Sequence, residues 1–186
     1  KKLFTILALT IGVSVNAQTG NTAPGTNALV NNTTGDYNPA FGVSSLKENT
    51  TGSNNTASGY SSLYSNTTGY NNTASGYRSL YNNTTGNNNT ASGYYSLYTN
   101  TTGTQNTGLG YNARASAVDA TNQTVIGYEA TGQADNSVVL GNSDVTAVYM
   151  AQDAGATVYA AGLSLGGTAV TSTAAELNIN DGGTSA

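Results

Sequence analysis

The sequence predicts an all-β fold, a parallel β-solenoid or β-roll whose coils are first 17 and then 14 residues long. Three observations carry that reading. Asn recurs at 21, 38, 55, 72, 89 and 106, always 17 apart; a Gly stands at the fifth place of every resulting unit; and no apolar recurrence at three and four residues marks a helix. A period of 17 is too short for two helices and their turns, and it suits one coil of a stack.

Aligned on that period, the units read "NTAPGTNALVNNTTGDY", "NPAFGVSSLKENTTGSN", "NTASGYSSLYSNTTGYN", "NTASGYRSLYNNTTGNN" and "NTASGYYSLYTNTTGTQ". The pattern continues as "NTGLGYNARASAVDATN" over 106–122, shortens to "QTVIGYEATGQADN" over 123–136, and opens once more as "SVVLGNSD" over 137–144. The fifth-place glycines are Gly25, Gly42, Gly59, Gly76, Gly93, Gly110, Gly127 and Gly141. Leu29, Leu46, Leu63, Leu80 and Leu97 share the ninth place and are the candidate core. The drop from 17 to 14 is a three-residue deletion expected in the "NTTG" region, where a solenoid tolerates changes in loop length.

Within a unit, a short strand is expected before and through the Gly, and a second around "SSLY" or its equivalent. Turns are expected at "NTTG", where Asn and Gly accept positive φ. Stacking such coils sets like residues above like at roughly 4.8 Å, so ladders of Asn, Thr and Tyr follow. The apolar content of one coil, one Leu, one Ala and two half-buried Tyr, is thin against the entropy of ordering its chain. A lone coil is therefore not expected to stand, and further burial between chains, along a shared axis, is the simplest remedy.

Composition narrows the function classes. The 186 residues contain no His, no Cys and no Trp, which removes the usual means of proton transfer, thiol chemistry and soft-metal binding. The acids Asp36, Glu48, Asp119, Glu129, Asp135, Asp144, Asp153, Glu176 and Asp181 are scattered, whereas solenoid glycosidases need paired carboxylates. The calcium-binding "GGxGxD" repeat is missing, and "GLGYNA" at 108–113 lacks the third Gly of a nucleotide loop. No catalytic residue, cofactor or metal is assigned, and the chain is not expected to be an enzyme.

The first residues follow another pattern. Lys1 and Lys2 precede the apolar run "LFTILALTIGVSV", and "VNA" closes it before Gln18, the layout of a secretory signal peptide cleaved after Ala17. Residues 18–20 then form a short linker to the repeat region at 21–144. Beyond residue 17, three basic residues (Lys47, Arg78, Arg114) face nine acidic ones, a net charge near −6 that gives nucleic acid or anionic lipid no electrostatic hold. No membrane span is expected in the mature segment.

The units "QTVIG" at 123–127 and "NSVVLG" at 136–141, with their glycines 14 apart, resemble the head repeats of trimeric autotransporter adhesins of the YadA-like type. The 17-residue "NTASGYxSLYxNTTG" units are similar to longer variants of the same repeat. The likeness covers about residues 21–144. It implies a left-handed parallel β-roll, three chains wound about one axis, and display on a bacterial surface for attachment to cells or surfaces through a ligand that no residue here specifies. After residue 144 no heptad stalk follows. The connector at 145–186 alternates like short strands and ends in "TAAELNINDGG", where "TAAE" (Thr173 to Glu176) reads as a capping box opening a small helix. This segment resembles repeats of bacteriophage tail fibres, so a phage-type fibre involved in host recognition is the alternative.

Three surface features invite sharper readings. Tyr60 and Tyr64, Tyr77 and Tyr81, Tyr94 and Tyr98 repeat at one-coil spacing, and such columns either bind a sugar or another surface or pack as ladders within the rod. Regular Thr arrays on flat solenoid faces are what ice-binding proteins use, a second alternative. The paired Thr of "NTTG" are adjacent and flank Gly, which suits a turn better. "N-x-T" triplets at Asn49, Asn66, Asn83 and Asn100 match the glycan acceptor pattern, although turn chemistry alone explains their period.

Overall fold

The computed structural model describes residues 19–148, together with residues 164–165 and 168–169. The chain divides into one unit ending at Ala147 and another beginning at Val148. In the first unit, seven short strands lie side by side in chain order, all parallel: β1 (Ala40–Phe41), β2 (Thr56–Ser58), β3 (Thr73–Ser75), β4 (Thr90–Ser92), β5 (Thr107–Leu109), β6 (Gln123–Ile126) and β7 (Ser137–Leu140). Ala40 pairs with Ala57, Ala57 with Ala74, and Ala74 with Ala91, one coil apart each time. The described part of this unit is a β-solenoid. No helix among the described residues is long and apolar enough to cross a membrane.

The change of period falls where a loop can absorb it. Arg114 still bridges Thr131 at a spacing of 17, while Gln123 pairs with Ser137 at a spacing of 14. The three residues are thus lost between Thr131 and Ser137, in the stretch equivalent to "NTTG".

Two local expectations are corrected. The segment around "SSLY" is not a strand. Ser62 and Leu63 are consecutive and both fully buried, whereas a strand would send them to opposite faces. The backbone solves this by entering the left-handed region at Ser61 (φ 51) and Leu63 (φ 50) while keeping its axial bonds. Ser61 N donates to Val43 O of the preceding coil at 2.9 Å, and Leu63 N to Ser79 O of the following coil at 3.0 Å. The second correction concerns "NTTG": left-handed residues stand at the fifth, seventh, ninth and last places, as in Gly59, Ser61, Leu63 and Asn71, and not at the Asn or Gly of that turn.

The fifth-place glycines answer to both φ and space. Gly42, Gly59, Gly76, Gly93, Gly110 and Gly127 hold φ between 130° and 136°, and a Cβ on Gly59 would lie 2.5 Å from Gly76 O. Gly25 keeps the stack against the Gly42 carbonyl without the positive φ, and Gly141 ends it at φ 86.

The interior is half hydrocarbon and half amide. Ala40, Ala57, Ala74 and Ala91 line it from the sheet, and Leu29, Leu46, Leu63, Leu80 and Leu97 fill it from the opposite turn; all are fully buried. Two columns of buried Asn complete it. In the first, Asn55 Nδ2 donates to Gly69 O at 2.8 Å and to Asn38 Oδ1 at 3.2 Å, and its Oδ1 accepts from Asn72 N at 3.0 Å and Asn72 Nδ2 at 3.1 Å. In the second, Asn66 Nδ2 donates to Asn49 Oδ1 at 2.8 Å and to Gly69 O at 2.9 Å. A buried amide is tolerated only when its donors and acceptors are paired, and stacking identical coils pairs them automatically. The core is therefore closed within one chain, so the thin apolar content that suggested sharing between chains is supplemented by these ladders.

In the second unit, β8 (Ser164–Leu165) and β9 (Thr168–Ala169) pair antiparallel, with Leu165 opposite Thr168. The leader expected at 1–17 and the small helix expected to open with the capping box at 173–176 lie outside the described residues.

Candidate functional surface

The coil exposes two regular surfaces, and each is set by the backbone just described. On the first, the residue after the fifth-place Gly points outward. Tyr60, Tyr77, Tyr94, Tyr111 and Tyr128 form one continuous stack with ring centroids 4.9–5.3 Å apart and planes within 12° of parallel. Tyr64, Tyr81 and Tyr98 form a second column, at 5.0 and 5.3 Å. The six tyrosines singled out in the sequence are parts of these two columns. Tyr111 and Tyr128 extend the first, and both were legible as the residue following Gly110 and Gly127. Tyr95 had no repeating signal, yet it bridges the columns edge-on to Tyr77, Tyr94 and Tyr98 at 5.6, 4.6 and 4.8 Å.

Cations settle into this aromatic surface. Arg78 Cζ lies 5.4 Å from the Tyr77 centroid and 5.2 Å from that of Tyr81, and Arg78 Nη1 donates to Tyr95 Oη at 3.1 Å. Lys47 Nζ lies 5.1 Å from the Tyr64 centroid and donates to Tyr64 Oη at 3.0 Å, with Glu48 Oε1 at 3.4 Å. The hydrogen bond to Tyr64 raises the Lys47 pKa above its usual value. Partial burial, followed by the neighbouring Tyr64, raises the Tyr81 phenol; burial, then Tyr95, raises Tyr94. Every ring inside a column has a neighbour over both faces, so the exposed part is its rim and hydroxyl. The flat-face stacking on a sugar that an isolated aromatic offers is blocked here by the next ring.

The second surface is the outer face of the sheet. In each T-A-S strand the Ala points inward and the flanking residues outward. Thr56, Thr73, Thr90, Thr107 and Thr124 stand in register across five strands. Beside them run Ser58, Ser75 and Ser92, followed by Leu109, Ile126 and Leu140, the last three exposed. Sequence reasoning weighed the Thr of "NTTG" and passed over these. The first "NTTG" Thr uses its hydroxyl between coils, as Thr50 Oγ1 does to Thr67 O at 3.0 Å and Thr67 Oγ1 to Thr84 O at 3.0 Å. The signal that would have found the sheet column is the alternation T-A-S itself.

The four N-x-T asparagines named above are structural. Asn49, Asn66, Asn83 and Asn100 are fully buried with their Nδ2 groups committed to the ladder, so these four positions offer no amide for modification in the folded coil. Among the described residues, no three His, Cys, Asp or Glu converge as a metal site would need. Asp135 Oδ1 accepts from Thr121 N at 2.8 Å and from Gln123 Nε2 at 3.2 Å, a structural task at the shortened turn. Comparison with family models, curated proteins and solved structures finds no match.

Proposed function

We propose that this chain is part of an exported surface fibre that attaches cells to other surfaces by repeating the same weak contact along a stiff rod. The observation that carries the reading is the register: one residue type occupies one column for several coils, as Thr56 through Thr124 do on the sheet and Tyr60 through Tyr128 on the turn. A ligand that touches one coil meets the same group at the next, and tethered contacts multiply avidity without any single strong site. In this reading the mature chain begins after Ala17, carries no catalytic group, and works at the cell surface.

Assembly as a homotrimer belongs to the same proposal. Leu109, Ile126 and Leu140 form an exposed apolar line along the sheet, in register with one another, and a second copy is its natural cover. The tail-fibre alternative draws on "TAAELN" at 173–178, outside the described residues.

The test is the full chain, coupled to beads, against variants lacking one or two complete units, 55–71 and 72–88. Attachment should fall with each unit removed while circular dichroism per residue stays constant. Attachment that ignores coil number would refute multivalent display.

A second reading, ice binding, gains support from the sheet rather than from "NTTG". Parallel strands space the outward Thr at about 4.8 Å between coils and, with Ser two residues on, about 6.7 Å along the strand, a flat lattice of hydroxyls and methyls. Thermal hysteresis that is lost on Thr90→Tyr but kept on Thr68→Tyr would favour it; no hysteresis at all would dismiss it.

A further inference from the structure

The first tyrosine column has a property that neither adhesion nor packing uses. Its five rings form an unbroken face-to-face stack from Tyr60 to Tyr128, with successive centroids 5.3, 4.9, 5.3 and 5.1 Å apart. Overlapping phenol rings at this distance pass an electron hole readily, so a ring oxidised anywhere in the column shares its vacancy with the others. Four of the five, Tyr60, Tyr94, Tyr111 and Tyr128, are 42–60% exposed and within reach of an external oxidant.

The column is not uniform. Arg78 sits over Tyr77, and a positive charge beside a ring disfavours removing an electron from it. Arg78 and Lys47 also lie over Tyr81 and Tyr64 in the second column. The cationic contacts of the patch thus gather at one end. At the other end Tyr111 and Tyr128 are stacked at 5.1 Å and 12°, and the next coil places Asn142 where a further ring would stand. The outer face of Tyr128 is therefore not covered by another tyrosine, and Tyr128 is the most exposed ring of the column at 60%.

We propose that Tyr111 and Tyr128 are an oxidative cross-linking site, coupling to dityrosine when the fibre meets a one-electron oxidant of the haem-peroxidase and hydrogen-peroxide class. Each phenol gives up one electron and its hydroxyl proton. The two phenoxyl radicals pair through a carbon ortho to each oxygen, forming one C–C bond, and the two ring hydrogens at those carbons return to the oxygens as protons. One hydrogen peroxide takes up the two electrons and two protons and leaves as two waters. Holding the two rings in contact beforehand makes the radical pairing intramolecular, which favours it over coupling between chains. The product ties one coil to the next through side chains 17 residues apart, a covalent staple in a chain without cysteine.

The experiment treats the full chain with a haem peroxidase and hydrogen peroxide, then denatures it and digests with trypsin. Cleavage after Arg78 and Arg114 places Tyr111 in the fragment 79–114 and Tyr128 in the fragment beginning at residue 115. The expected result is dityrosine fluorescence in the monomer band and a joined pair of these fragments, two hydrogens lighter than their sum, with the link located at Tyr111 and Tyr128 by fragmentation. Tyr128→Phe keeps a stacked ring and the fold but should lose the joined pair. Links found only between chains, links at other tyrosines, or a joined pair that survives Tyr128→Phe would each overturn the proposal, as would no dityrosine at all in a chain whose spectrum shows it folded.

Discussion

Asn66 Nδ2 lies 2.8 Å from Asn49 Oδ1 of the coil before it, and both side chains are fully buried. Asn83 Nδ2 repeats the contact on Asn66 Oδ1, again at 2.8 Å. Asn66→Ala would leave an acceptor on Asn49 and a donor on Asn83 unpaired in a dry interior. Each such orphan costs about 1–3 kcal/mol. Urea titration should show a clear fall in midpoint for this variant, while the exposed Thr68→Ala stays within about 0.5 kcal/mol of the parent.

The Leu column invites a comparison of two truncations. Leu63→Ala should cost about 2–5 kcal/mol through the cavity it opens. Leu63→Gly removes one carbon more, yet Gly relieves the left-handed backbone at φ 50, a strain of about 1–3 kcal/mol for a residue with a side chain. Stability measurements should therefore find the Gly variant no worse than the Ala variant, the reverse of the usual order at a non-helical core position.

Gly59→Ala tests the closest approach of neighbouring coils. The new Cβ would meet the Gly76 carbonyl at 2.5 Å in a backbone conformation that L residues rarely adopt. Loss of protection in hydrogen exchange should spread over the two coils flanking Gly59 and leave the coil of Thr124 protected, as expected for a stack held by nearest neighbours.

Alkaline pH should loosen the tyrosine surface. The folded phenols of Tyr81 and Tyr94 lie above their ordinary pKa, chiefly through burial, so the fold favours their neutral form. Their contribution to stability is whole below the unfolded phenol value of about 10 and declines as pH rises through the folded values. A thermal melt followed from pH 8 upward should stay level and then fall above about pH 10; Tyr81→Phe should blunt the fall.

Much of this was legible because repetition turns one local reading into many. Gly59 and Gly76, Leu63 and Leu80, and Asn55 and Asn72 announce their equivalence by spacing alone, and a column of equivalent residues requires coils in register. The segment "SSLY" misled because Ser and Leu in alternation with Tyr look like a strand, whereas the alternation of left- and right-handed backbone at Ser61 to Leu63 has no residue signature beyond the repeat itself. The sheet-face Thr were overlooked for the opposite reason: "NTTG" displays two Thr together, while Thr73 has no Thr beside it. Tyr95 was unreadable, since a single bridging ring repeats nowhere.

By itself, the sequence determined the period, the stacking of like on like, and the columns that follow, because a chain that repeats every 17 residues can satisfy its backbone only by meeting itself one coil away. Tertiary structure alone decided which way each column faces. Asn66 and Thr67 are neighbours of similar polarity, yet one is sealed in the core by its ladder and the other lies at the surface of the turn. The difference arises from the curvature of the coil. Where consecutive residues must both turn inward, as Ser62 and Leu63 do, the backbone leaves the extended region, and every outward residue after that point is re-aimed.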